Sequence, residues 1–423
     1  MQKPIKIVVA HPMQQHSYHT ASALQDAGML DAYITTVYYN PQRMLYKILK
    51  RILGEQNVKR MAGKRIEDES IKVVQFCEIL GLVYLFLLRV DRKKIFLPFV
   101  WKTLCRRFGK CVYRYSKEHG VDGVFMFDTT AADCFNIIKK KGLPVQCILD
   151  STSIPQTEIC KIIETEQAKK YNFQHSLAMR LKSAKKNLAK NNKELALADV
   201  VLAGSTYCAN LVKGVLNEDK KVYVVPYGVD IDAFTIKEYH EAGNPIRFLY
   251  VGGLEATKGS YYILEAFKTL DREDVALICV GDCGYAKDEL AKYKNVEFKG
   301  FVPSTQMPNV YKAADVYIIP SLYEGLSRSL VEAMASGLPA IASTSSGGLD
   351  LVCQGENGFI ISPADIEGLQ EKIIYFCEHK EEISKMGECA ATVASKYTWK
   401  NYKEILINTI EEIWTNEAKD FNF

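Results

Sequence analysis

The chain has 423 residues, 48% of them hydrophobic and 25% charged, with a formal net charge of +4. That is an ordinary globular composition, and the length suits two α/β domains better than one core. The 12 cysteines are scattered without a CxxC pair or metal-ligand spacing, Cys279 and Cys283 being the closest, which speaks against a disulfide framework or a zinc site.

The longest apolar run, Ile79–Leu88, has 10 residues, too few to span a bilayer as a helix. Met1–Lys6 leads straight into a strand without a secretory leader, so a cytoplasmic protein with reduced thiols is expected. No internal repeat or low-complexity tract interrupts it. The charge is unevenly spread. Arg43 to Lys117 holds 19 Lys/Arg and 6 Asp/Glu, a net +13, so the remainder carries −9 of the total +4. A basic region on an acidic body calls for an anionic partner or surface.

Ile5–Ala10 reads as a first buried strand and Tyr18–Gly28 as the helix after it. The loop between them, His11–Ser17, contains no glycine; its His11 and His16, with His19, read as helix-start or surface groups, with a catalytic place facing the cleft as the alternative. From Tyr39 to Lys117 the pattern is helical, basic and apolar. Leu45, Ile48, Leu49, Ile52 and Leu53 form one amphipathic stripe with Lys47, Lys50 and Arg51 off it. Leu82–Leu88 follows, then Arg89, Arg92, Lys93 and Lys94, and the aromatics Phe96, Phe99 and Trp101. Two readings stand: helices packed on the first sheet with a solvated basic face, or an interfacial surface for anionic lipid on the inner face of a membrane. No nucleic-acid-binding signature is present.

Gly123–Phe127 and Val145–Leu149 read as parallel strands joined by a helix over Ala131–Lys141, with Asp128 and Asp150 at their carboxyl edges. Lys161–Lys193 is helical and basic, Asp199–Ala203 and Val222–Pro226 are strands, and Tyr227–Glu241 begins a linker. A second β-α-β series starts at Phe248–Val251. Gly252, Gly253, Lys258 and Gly259 follow it as a loose phosphate-loop pattern, short of a Walker loop because Lys258-Gly259-Ser260 lacks the preceding glycine. Ala276–Gly281 is a further strand.

The most informative stretch is Pro320–Ser343. Val316–Ile319 is an apolar strand, Pro320–Ser327 a loop with Gly325 at its turn, and a helix starts near Ser329. Gly337 and Pro339 stop that helix, and Pro339–Ala342 begins the next strand. The loop therefore lies at a strand's carboxyl edge, where helix N–H groups favour anions. Glu324 and Glu332 bracket it. Ser329-x-x-Glu332 also matches a capping box, in which the carboxylate would only satisfy a backbone N–H.

Glu324-x7-Glu332 followed by AMASGLPAIAS resembles the donor-binding signature of glycosyltransferase family 4. Four further blocks fall in that family's order: ADVVLAGS (198–205), VYVVPYGVDIDAF (222–234), FLYVGGLEATKGSYYILEAF (248–267) and SSGGLDLVCQGENGFIISPAD (345–365). The likeness covers Lys193 to the C-terminus and is weak before it. It implies a GT-B fold, two doubly wound Rossmann-like α/β domains facing across a cleft. Residues 1–225 would bind the acceptor, residues 245–395 the nucleotide sugar, and a helix from Trp399 would brace the first domain.

The implied reaction is retaining transfer of a sugar from a nucleotide-diphosphate sugar to a glycan or lipid-linked acceptor, without a metal and without a protein base. Glu324, Lys258 and Asp150 form the implied catalytic set. Gly252, Gly253, Lys258, Val302, Gly325, Leu326, Ser327, Arg328 and Glu332 form the implied donor site. Glu324 would take sugar hydroxyls and Glu332 the ribose. The family carries Arg where Gly253 stands here, so Arg328 is the candidate for the missing charge; it carries His where Asp150 stands, and Asp cannot donate as a neutral imidazole does. Asp230-Ile231-Asp232 spells a metal-binding DxD but falls in the family's interdomain segment. A nucleotide-sugar epimerase on this fold and a non-catalytic sugar-nucleotide module remain as alternatives, the second motivated by the glycine-free first loop, Gly253 and Asp150.

Overall fold

The computed structural model describes residues 4–40, 44, 46–47, 51, 70–91, 93–169, 174–216, 220–236, 245–270, 272–282 and 291–420. The first domain holds strands β1 (Ile7–Ala10), β2 (Leu30–Thr35), β3 (Val73–Gln75), β4 (Gly123–Phe127), β5 (Gln146–Ser151), β6 (Val200–Ala203) and β7 (Lys221–Val224). They form one sheet in the order β3-β2-β1-β4-β5-β6-β7, every pair parallel. Its helices are α1 (Ser17–Asp26), α2 (Glu78–Val90), α3 (Leu97–His119), α4 (Ala132–Lys141), α5 (Gln156–Gln167), α6 (Gln174–Leu197) and α7 (Thr206–Val215). Every residue of β1, β4 and β6 is buried, as continuous apolar runs covered on both faces require.

The second domain holds β8 (Ile246–Val251), β9 (Val275–Val280), β10 (Val296–Gly300), β11 (Val316–Ile319), β12 (Ala340–Ser343) and β13 (Gly358–Ile361). Their order is β10-β9-β8-β11-β12-β13, again wholly parallel. Around them lie α8 (Ser260–Leu270), α9 (Met307–Lys312), α10 (Arg328–Ala335), α11 (Ile366–Glu378) and α12 (Glu382–Ala394). In each sheet the strand order reverses once, between β1 and β4 and between β8 and β11. A crevice opens at the carboxyl edge of such a reversal.

A last helix, α13 (Trp399–Asp420), returns to the first domain. It lies along α1: Thr20 Oγ1 and Tyr402 Oη are 2.7 Å apart, and Lys403 pairs with Asp26 at 2.6 Å. The outgoing and returning chains run side by side. Val229 N donates to Tyr397 O at 2.8 Å, and Val229 forms a parallel bridge with Thr398. Gly228 is glycine for this reason, since a Cβ there would stand 2.5 Å from Trp399 N.

Two expectations are corrected. The segment Tyr39–Lys117, read as helical, contains β3, a three-residue edge strand too short to show a period. The strand expected to end at Leu149 runs on to Ser151, so Asp150 sits within β5, paired with Phe127 and Leu202. The stripe Leu45, Ile48, Leu49, Ile52 and Leu53, with Lys50 and Arg92, lies outside the described residues.

Candidate functional site

The loop after β11 is fixed by its backbone. Leu322 N donates to Thr257 O at 2.9 Å and Glu324 N to Ser345 O at 2.8 Å. The hydroxyls of Ser343 and Ser345 both donate to Ser321 O, at 2.6 and 2.8 Å. Gly259 opens α8 with φ +74°, and a Cβ there would fall 2.0 Å from Pro320 O. Only glycine permits that approach, and it carries Lys258 up against the loop.

A cavity of about 390 Å³ results, lined among others by Gly252, Lys258, Ser321, Glu324, Ser327 and Arg328. Within it Lys258 Nζ donates to Glu324 Oε1 at 2.5 Å, and Ser321 Oγ donates to the same oxygen at 3.0 Å. Arg328, the first residue of α10, is exposed and makes no ion pair among the described residues. With Lys258 and the positive end of α10 it makes this cavity suited to a polyanion.

The capping box is overturned. Ser327 is the N-cap of α10, its Oγ accepting from Leu330 N at 3.4 Å. Ser329 Oγ instead accepts from Tyr317 Oη at 2.7 Å, and Glu332 Oε2 accepts from Tyr311 Oη at 2.9 Å. Burial raises the pKa of Glu332, while the Tyr311 hydrogen bond and the Arg328 charge oppose it. Glu332 is thus a half-buried carboxylate held by a side chain from α9.

Of the residues singled out from the sequence, Gly252, Lys258, Glu324, Leu326, Ser327 and Arg328 converge on the cavity. Gly253 lies beside it, its carbonyl accepting from Tyr250 Oη at 2.8 Å, and Val302 follows β10, packed at the edge of the core. Gly325 touches the first domain: a Cβ there would sit 2.2 Å from Thr152 O, and the Ser205 hydroxyl donates to the Gly325 carbonyl. Further contacts cross the interface, among them Thr206 N donating to Asp350 Oδ2 at 2.7 Å. Arg180 Nε donates to Tyr323 Oη at 2.8 Å, and the Tyr262 hydroxyl donates to Glu166.

Asp150 is not part of the cavity lining. It is 2% exposed, with Tyr227 Oη donating to Oδ1 at 2.8 Å and His16 Nε2 lying 2.9 Å from Oδ2. Beside it Asp128 accepts from Thr152 Oγ1 at 2.8 Å, and burial, with the Asp150 charge adding to it, pushes its pKa up to about 6. His19 stacks on Trp399 with ring centroids 3.5 Å apart. Burial, then the nearby His16, Lys403 and Arg328, lowers its pKa to about 3, so it is neutral at physiological pH. The sequence reading missed Tyr311, Ser205, Arg180 and the His16–Asp150 pair. The only local signal was the position of His16 at a helix start.

Among the described residues no group of three or more His, Cys, Asp or Glu side chains gathers as metal ligands, and Asp230 and Asp232 are both exposed.

Residues 232–393 match the family model described as glycosyl transferases group 1. The D-inositol 3-phosphate glycosyltransferase of Corynebacterium urealyticum is 26% identical over 244 residues, 52% of this chain and 58% of that protein. The UDP-Gal:alpha-D-GlcNAc-diphosphoundecaprenol alpha-1,3-galactosyltransferase of Escherichia coli is 29% identical over 189 residues, 40% of this chain and 48% of that protein. The chain spans about half the length of the curated relatives it matches. Among solved structures, sucrose-phosphate synthase from Thermosynechococcus elongatus superposes with a TM-score of 0.66 over 98% of this chain and 100% of its own, at 17% identity. That likeness is one of fold. Residues 232–393 are therefore similar to glycosyl transferases group 1, and the chain around them has the two-sheet GT-B fold.

Proposed function

We propose that this protein transfers a sugar from a nucleoside diphosphate sugar to a glycan or lipid-linked acceptor, with retention at the anomeric carbon. The observation that carries the reading is the convergence of Lys258, Arg328 and the start of α10 on one cavity beside Glu324. Glycosyl transfer of this kind builds negative charge on the departing diphosphate, and preorganised cations and helix N–H groups stabilise that charge without reorganisation.

Lys258 and Arg328 bind the diphosphate, Glu324 takes the hydroxyls of the donor sugar, and Glu332, steadied by Tyr311, takes the ribose. As Lys258 turns to the phosphates, Glu324 is released to the sugar. The departing phosphate oxygen accepts the acceptor's proton, so no side chain acts as base. Asp150 acts from behind, holding His16 at the first-domain face of the cleft. The relatives' printed names, with UDP-Gal as donor and a diphosphoundecaprenol-linked sugar as acceptor in one, support a nucleotide-sugar donor and a lipid-linked acceptor here.

A thermal-shift screen of UDP- and GDP-sugars, followed by an assay of nucleoside diphosphate release, tests the reading. Release that depends on added acceptor supports transfer. Donor binding with no release under any acceptor would make the protein a sugar-nucleotide binding module, and a changed sugar in the recovered donor would make it an epimerase.

A further inference from the structure

Helix α2 buries a single residue, Gly81, and leaves Ile79, Val83, Phe86 and Val90 exposed, Ile79 at 75% and Phe86 at 60%. Their spacing of four, three and four puts them on one face of the helix. The turn into α3 continues the surface with Ile95, Phe96 and Phe99, all exposed, Phe99 at 72%. Tyr84 and Trp101 hold the hairpin together, with ring centroids 4.8 Å apart. Folded proteins seldom leave so contiguous an apolar surface to water without a partner.

The flanks of this surface are strongly basic. From Glu78 to Lys117 there are ten Lys/Arg and two Asp/Glu, a net +8. Both acids are engaged: Glu78 Oε1 accepts from Tyr46 Oη at 2.7 Å, and Asp91 caps α3 by accepting from the N–H groups of Ile95, Phe96 and Leu97 at 2.7–3.0 Å. Arg89, Lys93, Lys94, Lys102 and Arg106 are exposed and make no ion pair among the described residues.

We propose that the α2–α3 hairpin docks on an anionic lipid bilayer, with Ile79, Val83, Phe86, Ile95, Phe96 and Phe99 entering the headgroup–acyl boundary and the flanking lysines and arginines meeting anionic headgroups. An apolar stripe with a basic margin is the composition of an interfacial helix. A second copy of the chain is the poorer occupant, because a symmetric contact would bring one +8 surface against another. No described helix is long and apolar enough to cross a membrane, so the surface lies on the bilayer without spanning it.

The hairpin's seat gives the docking a purpose. Gly81 packs on Thr36 and Val37, just past the carboxyl end of β2; a Cβ there would meet Thr36 Oγ1 at 2.5 Å. Thr36 Oγ1 in turn donates to Pro12 O, in the loop that leads to His16. The apolar surface therefore adjoins the cleft edge of the first sheet, and docking there brings a lipid-anchored acceptor to the cleft mouth. This last step rests on the function proposed above.

The test is flotation of the full chain with phosphatidylglycerol/phosphatidylcholine vesicles and with pure phosphatidylcholine vesicles, at low and high salt. Flotation is expected with the anionic vesicles, weakened but retained at high salt, because salt screens the charges and leaves the apolar insertion. Phe86→Asp with Phe99→Asp is expected to weaken it at least about tenfold at either salt with an unchanged melting temperature, both side chains being exposed. Lys93→Glu with Lys94→Glu is expected to abolish the preference for anionic vesicles. The proposal is overturned by no flotation with either vesicle type, by wild-type flotation of the phenylalanine variant, or by a dimer that this variant dissociates in the absence of vesicle binding. Flotation requires neither donor nor acceptor, so its failure leaves glycosyl transfer standing, and a failure of transfer leaves the docking standing.

Discussion

Lys258 Nζ donates to Glu324 Oε1 at 2.5 Å within the cavity, so each side chain holds a partner that the ligands of the proposed reaction would compete for. On the proposed function a diphosphate competes with Glu324 for the ammonium. Glu324→Gln removes that competition, so nucleoside diphosphate affinity is expected to hold or rise while transfer falls by about 100-fold or more, the cost of a lost charge-assisted contact in the transition state. Lys258→Ala is expected to weaken nucleoside diphosphate by about 1–3 kcal/mol and leave the nucleoside unchanged. Calorimetric titration with both ligands, alongside initial rates, checks the pair. Equal losses of the two ligands would remove Lys258 from the phosphates.

Arg328→Ala is expected to reduce affinity for nucleoside diphosphate far more than for nucleoside. Gly253→Arg should restore part of the loss. A Cβ at Gly253 would meet only the Glu255 side chain, at 3.6 Å, an ordinary contact, so the larger residue has room to start. The same titrations read both variants, and no recovery in the double variant would count against Gly253 as a phosphate-side position.

Glu332→Gln retains an acceptor for the Tyr311 hydroxyl but loses the charge, and a loss of about 1–3 kcal/mol in nucleotide affinity is expected with little change in melting temperature. A fall in melting temperature with unchanged affinity would make Glu332 a purely structural group.

Gly325→Ala tests the interface. The added Cβ would lie 2.2 Å from the Thr152 carbonyl, and backbone cannot yield there without parting the domains. Transfer is expected to fall at least about tenfold while nucleoside diphosphate still binds, because its cavity belongs to the second domain alone. Comparable losses in both would show that the loop itself had collapsed.

Stability should respond to pH through Glu194. It is fully buried, and it accepts from Thr129 N, Ala131 N and Ala132 N at 2.9–3.1 Å. Burial outweighs those donors and pushes its pKa from 4.5 to about 7. The folded state thus holds a proton that the unfolded state has released. That contribution is complete below the unfolded value and lost as pH rises through about 7. Glu194→Gln should flatten the decline in melting temperature over that window. Asp128, raised to about 6, acts in the same sense. His19, lowered to about 3, acts oppositely: its contribution is present above 6.5 and lost as pH falls. His19→Phe keeps a ring against Trp399, so wild type should lose stability relative to this variant on acidification. An unchanged gap would place the titration elsewhere.

Glu324, Lys258 and Arg328 were legible in the sequence because each sits at a strand's carboxyl edge, within a β-α-β pattern whose period and glycines are local. Their partners were not. Tyr311 reaches Glu332 across 21 residues, His16 reaches Asp150 across 134, and Ser205 reaches Gly325 across 120. Nothing in the local pattern encodes such pairings; they follow from the order in which the sheets are wound. The choice of Ser327 over Ser329 as N-cap was undecidable for a different reason. Two serines two residues apart offer the same oxygen, and Tyr317, from the neighbouring strand, occupies the second. The basic segment misled because its composition spoke for helices while β3, at the sheet's edge, needed only three residues to pair with β2.

The adjacent passages at 227–229 and 397–399 act as the pin of a door. The two domains are joined by two spans of chain, and the spans are hydrogen-bonded to each other at Val229 and Tyr397. Sliding one domain along the other would shear that pairing and drive Gly228 into Trp399, whereas swinging about the line of the two spans leaves both intact. Relative motion is thereby confined to a single angle, and Gly325 on Thr152 lies close to its axis: Ser205, which bonds the Gly325 carbonyl, follows Gly204, where a Cβ would stand 2.6 Å from the Tyr227 ring, so this contact moves little for each degree of swing.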